Sequence, residues 1–205
     1  MSTVEMWWGK TTWWYPNAIS ITPTSGKYRI GGLVEGPGCG FFGCDGLFRY
    51  ITFVAEFWLG KNRMPSDNND FRSIPNVSFT GDITAFADYP FSIFDNSFAS
   101  CWLTFEQRVY FGTTLQKKSI RSINLVSVEP GLGNFVAFET KEMPSEVAFD
   151  PLYFFLYRGS DLIIQLEVKF NMFLYGFSSM RYSIWRDSFP FTVQFHQWSI
   201  ESEPH

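Results

Sequence analysis

Apolar residues recur at every second position in several stretches of the chain, the spacing that gives a β-strand one buried and one exposed face. The clearest is LIIQLEVKF, where Leu162, Ile164, Leu166, Val168 and Phe170 share one face and Ile163, Gln165, Glu167 and Lys169 the other. YITFVAEFWL sets Ile51, Phe53, Ala55, Phe57 and Leu59 together, and FTVQFHQW sets Phe191, Val193 and Phe195 against Thr192, Gln194 and His196. Shorter candidates are KYRIGGLV, SFASCWLTF, QRVYFGTTL, SINLVSV, NFVAFET and MRYSIW. The pattern predicts about eight or nine strands.

Between these runs lie EGPGCGFFGCDG, KNRMPSDNNDF, DYPFSIFDN, EPGLGN and RDSFP, rich in the residues that supply turn dihedrals. Helical periodicity is almost absent, and the one short candidate is PSEVAF, with Ser145 capping a single turn. Many short strands punctuated by turns indicate an all-β, antiparallel β-sandwich, jelly-roll-like in its ordering. At 205 residues, with no internal repeat, 1–205 reads as one domain, and 1–20 as an aromatic-rich N-terminal arm.

Composition sharpens this picture. The chain holds 24 Phe, 9 Tyr and 8 Trp, while charged residues make up only 18% of it, below the ~25% usual in soluble domains. Each buried aromatic removes ~150–250 Å² from water, and one domain of this size cannot enclose so many rings. Rings left at the surface form apolar patches, which mark contact sites. The net charge of −4 and the lack of any Lys/Arg run beyond Lys117-Lys118 argue against sequence-specific nucleic-acid binding. No apolar stretch reaches the ~18 residues of a spanning helix, and the N-terminus does not read as a signal peptide.

Candidate chemistry changes little. The glycine-rich GPGCGFFGCDG lacks the Lys-Ser/Thr ending of a phosphate loop, and GKTT at Gly9 lacks the upstream glycine, so a flexible hairpin or a surface loop is expected over 36–46. Cys39, Cys44, Cys101, His196 and His205 are too scattered for a four-ligand zinc site; the cysteines are expected as reduced thiols and no metal or cofactor is expected. His196 would point away from Ser199 along a strand, so no triad forms and no catalytic residue is assigned. A carboxylate pair of glycosidase type cannot be singled out among 20 acidic residues. The chain is expected not to be an enzyme.

The remaining feature is MWWGKTTWWY, which carries Trp7, Trp8, Trp13, Trp14 and Tyr15. Neither face of this stretch is cleanly apolar, which disfavours a regular half-buried strand. Burial in the same domain, contact with a neighbouring subunit, and a stacking platform for sugars or an anchor at a lipid interface compete as explanations, with aromatics enriched in interface cores and the basic residues usual at a lipid interface lacking.

FFLYRGSDLIIQLEVKF, Phe154 to Phe170, resembles a segment of picornavirus-like capsid proteins, including those of dicistroviruses and iflaviruses. There an aromatic strand ends in Arg-Gly-Ser and leads into another amphipathic strand of the jelly roll; Tyr157, Arg158, Gly159 and Ser160 are the matching residues. The ending PFTVQFHQWSIESEPH is similar to the last strand and polar tail of such proteins. The resemblance implies a structural protein of a virus particle, made in the host cytoplasm, whose partners are other copies of itself or other shell proteins. The alternative is a ligand-binding β module of lectin or lipocalin type, with Trp rings stacking carbohydrate or enclosing an apolar molecule.

Overall fold

The alternation of Leu162 to Phe170 carries through to the fold: Leu162, Ile164, Leu166, Val168 and Phe170 are all buried, as are Ile51, Phe53 and Ala55 on the neighbouring strand. In the computed structural model the described residues are 3–6, 9–12, 27–30, 32–40, 43–59, 70–88, 96–130, 136–155, 161–182, 191–195 and 198–202. Among them are eighteen strands and no helix.

In chain order the strands begin with β1 (Thr3–Met6), β2 (Gly9–Thr12), β3 (Lys27–Ile30), β4 (Gly32–Glu35), β5 (Cys39–Gly40) and β6 (Gly43–Cys44). Then come β7 (Gly46–Leu59), β8 (Asp70–Ile74), β9 (Val77–Thr80), β10 (Asp82–Asp88), β11 (Phe98–Phe111) and β12 (Thr114–Val128). The last six are β13 (Val136–Glu142), β14 (Leu152–Phe155), β15 (Leu162–Tyr175), β16 (Ser178–Tyr182), β17 (Phe191–Phe195) and β18 (Trp198–Ser202).

One layer is a single sheet in the order β12-β11-β15-β7-β2. Three of its strands have 14 residues each, and so run about 45 Å. The other layer is broken along its length into the orders β13-β10-β16-β4, β3-β17-β9 and β1-β18-β8-β14. Only Pro75 and Asn76 separate β8 from β9, and only Gly81 separates β9 from β10, so these are successive sections of one run. Proline cannot donate to a ladder and glycine weakens one, which is why the breaks fall there. The run 136–155 is interrupted in the same way, held between its strands by Met143 N–H donating to Gly81 O at 3.0 Å and by a bridge between Val147 and Val77.

Among the described residues eight runs carry the sandwich, where the alternation pattern predicts about eight or nine strands and does not pick out 70–88. Their pairing is nested: β11 with β12, β10 with β13, β7 with β15, and β4 with β16, each antiparallel. Successive pairs in that series alternate between the two layers. The core between the layers draws Leu103, Phe105 and Val109 from one side and Phe79, Ile83 and Ala85 from the other. Phe79 and Phe105 meet edge-on across it at 6.0 Å, an arrangement favoured by the ring quadrupole.

Several local expectations change. SFASCWLTF and QRVYF are one continuous strand, and the turn comes only at Gly112-Thr113. PSEVAF forms no helical turn; Val147 is drawn into the bridge with Val77, whose backbone pairing outweighs a single capped turn. Cys39 and Cys44 are not free thiols. Of the hairpin and the loop expected over 36–46, the hairpin forms, and its register places Cys39 opposite Cys44, where they are joined as a disulfide.

Candidate functional site: the aromatic outer face of the long-stranded sheet

Along β11, Ala99, Cys101, Leu103, Phe105, Gln107, Val109 and Phe111 face the core. The intervening Phe98, Ser100, Trp102, Thr104, Glu106, Arg108 and Tyr110 therefore face outward. Register extends this outer face across three strands: Phe48, Phe173 and Ser100 form one row, Tyr50, Asn171 and Trp102 the next, and Gly46, Tyr175 and Phe98 a third. Six rings thus share one end of the sheet's outer surface. Phe48 lies 5.9 Å from Trp102 and 6.0 Å from Tyr50, and Phe98 lies 6.2 Å from Phe173.

The rings are held but not covered. Phe48 keeps 47% of its surface exposed, and the others are half-buried. Asn171, buried in the middle row, donates from Nδ2 to Thr104 Oγ1 at 3.0 Å, to Lys169 O at 3.3 Å and to Trp102 O at 3.4 Å, which fixes the spacing of the strands beneath the patch.

Beyond the rings the same face turns ionic. Arg108 bonds Glu106 at 2.8 Å and Glu167 at 3.2 Å, Lys118 reaches Glu106 at 3.0 Å, and Lys169 reaches Glu167 at 3.0 Å. Lys169 Nζ also sits 5.2 Å from the Tyr50 ring centre, joining the ionic zone to the aromatic one. The hydrogen bond from Arg108 holds the Glu106 carboxyl below its ordinary range, and Glu106 in turn raises the Arg108 guanidinium. Both carboxylates of this zone are thus engaged by cations, and the aromatic end of the face offers apolar contact beside it.

A second feature lies at one rim, where the layers part around a cleft of about 200 Å³. Phe105, Phe149 and Ile120 give it apolar walls, while Gln107, Ser119, Arg121 and Asp150 line it with polar ones. Arg121 Nη1 donates to the carbonyl of Ala148 across its mouth. Cys101 is buried, and burial pushes its thiol far up, which suppresses the thiolate that nucleophilic chemistry requires. Among the described residues there is no group of three or more His, Cys, Asp or Glu placed to hold a metal ion, and no helix long and apolar enough to cross a membrane.

Trp7, Trp8, Trp13, Trp14 and Tyr15, and the motif Tyr157, Arg158, Gly159 and Ser160, lie outside the described residues. The strands around the first tryptophan pair are described, however. β1 pairs with β18 in the broken layer and β2 pairs with β7 in the continuous one, so these two strands belong to different layers. The outer-face rings were not singled out in the sequence. Their signal is the large aromatic at what should be the polar position of an alternating strand, as Phe98 and Trp102 are between Ala99, Cys101 and Leu103.

No protein-family model matches this chain, and no curated protein resembles it closely enough to match. Among solved structures it is similar to a chain from the structure of the infectious bursal disease virus Gt strain, at 9% identity and a TM-score of 0.16. That similarity covers 92% of this chain and 46% of the viral one, so this chain spans less than half the length of its counterpart. A likeness this low fixes neither fold nor function.

Proposed function

We propose that this chain is a jelly-roll sandwich acting as a structural subunit of a virus particle or similar assembly, its rings buried against other copies or a partner shell protein. The ordering is supported by the nested pairing: eight runs pair outermost with outermost and innermost with innermost, alternating between layers, as a long hairpin rolled into two Greek keys does. The function rests on one observation, the outer-face cluster of Phe48, Tyr50, Phe98, Trp102, Phe173 and Tyr175 on a rigid sheet. Aromatic anchors surrounded by polar groups are what interface cores are made of.

In this reading no residue does chemistry and no cofactor is needed. The net charge of −4 leaves sequence-specific nucleic-acid binding to other components. The Cys39–Cys44 disulfide suits a protein that persists on a particle in an oxidising environment after synthesis in the cytoplasm. A second reading is favoured by the middle row, where Tyr50 and Trp102 flank the amide of Asn171: a carbohydrate module stacking sugar rings there.

Sedimentation velocity over a range of concentrations, alone and with candidate shell proteins, tests the choice. Assembly that Phe48→Ser/Trp102→Ser abolishes in a folded chain supports the structural reading. A chain that stays monomeric while a glycan quenches its tryptophan fluorescence overturns it in favour of the lectin-like one.

A further inference from the structure

The rim that carries the cleft has two lips of opposite charge. β12 is the edge of the continuous sheet, exposed from Thr114 to Ser122 on both faces, and presents Lys117, Lys118 and Arg121. The facing lip is the outer run of the broken layer, where Glu142, Glu146 and Asp150 are all exposed and Lys141 is the one base among them. The two lips meet over a short stretch: Ser119, Ile120 and Arg121 line the cleft with Phe149 and Asp150, and Arg121 bonds Ala148 O, while Glu142 lies further along, paired with Asp82.

We propose that this rim is an interface between two copies of the chain, basic lip on acidic lip, which rests on the assembly reading above. Two-fold axes can join such rims in two ways. An axis perpendicular to the layers brings β12 against β12 and piles Lys117, Lys118 and Arg121 on their own images. An axis parallel to the strands exchanges the layers and keeps height, so the Lys118 to Arg121 part of each β12 meets the partner lip at the level of Glu146 to Asp150, twice over.

Charge decides between them. Lysines on an edge strand repel a like strand and so block β12–β12 pairing, but against Glu146 and Asp150 the bases of β12 attract. Pro144 and Pro151 interrupt the acidic lip, so the contact is made by side chains rather than by a continued ladder. Leu115 and Ile120, both about half exposed, add apolar area beside the bases.

The test uses the full chain in sedimentation velocity. Lys117→Glu/Lys118→Glu reverses the basic lip, leaving Arg121 the one base on it, and Glu146→Lys/Asp150→Lys reverses the acidic one, with circular dichroism and melting temperature confirming folding. Each variant alone is expected to dimerise at least about tenfold more weakly than wild type, and wild-type dimers to weaken as salt screens the lips. Mixing the two variants one to one restores association, because every reversed lip then meets its complement.

Unchanged association of either variant, or stronger association of the β12 variant, overturns the inference, as does a mixture that fails to associate. If the lip variants assemble like wild type while Phe48→Ser/Trp102→Ser does not, the rim falls and the assembly reading stands. A wild type monomeric at every concentration overturns both.

Discussion

Gln107 reaches across the sandwich to Ser73. Its Nε2 donates to Ser73 Oγ at 2.6 Å and to Ser73 O at 3.2 Å, with both residues buried, so a side chain of the continuous sheet is bonded to the first section of the broken one. A buried polar group left without its partner costs more than the bond itself contributes. Gln107→Leu is therefore expected to destabilise the fold by about 1–3 kcal/mol, and Gln107→Leu/Ser73→Ala to recover part of that loss. A thermal-denaturation cycle of the four proteins measures the coupling; additive effects would refute it.

The disulfide makes a separate prediction. Closing so short a loop stabilises by about 2 kcal/mol through the unfolded chain, so Cys39→Ser/Cys44→Ser should lower the melting temperature by about 5 °C in a domain of this size. Thiol titration gives a second readout. Native oxidised protein should react at no site, denatured oxidised protein at Cys101 alone, and denatured reduced protein at all three cysteines.

Two left-handed glycines should respond differently to alanine. Gly176 and Gly112 have φ of +66° and +56°. A Cβ on Gly176 would meet Ser97 Oγ at 2.7 Å and the sulfurs of Cys39 and Cys44 at 2.9 and 3.1 Å, while one on Gly112 meets nothing within 4 Å. Gly112→Ala should cost only the backbone penalty of about 1–2 kcal/mol. Gly176→Ala should cost clearly more, because the corner joining β15 to β16 has to shift, and chemical denaturation would show the difference.

Acid should weaken the outer face. Glu106 is held below its ordinary value of 4.5, chiefly by the Arg108 hydrogen bond, so its contribution is fully present above the unfolded value and disappears as pH falls through the folded one. At a partly solvated site the effect is under about 1 kcal/mol. Glu106→Gln should lower neutral stability by that small amount and flatten the stability–pH curve below pH 4.5, where it converges on wild type. A variant whose acid limb matches wild type would show that other carboxylates carry it.

The amino-acid order alone determined the class of fold and much of its interior. Period-two spacing is a local property, and Leu162 to Phe170 could be assigned an inner face because a strand's geometry admits only two. The run 70–88 escaped notice because Pro75 and Gly81 look like turns, yet they only interrupt a strand whose sections are held by neighbours distant in sequence. Pairing partners, the Cys39–Cys44 bond and the Gln107–Ser73 link depend on which runs become neighbours. So does the gathering of Phe48, Trp102 and Phe173 on one outer surface, which no single strand displays. Those are set by the register between strands, a non-local choice made when the layers close over their common core.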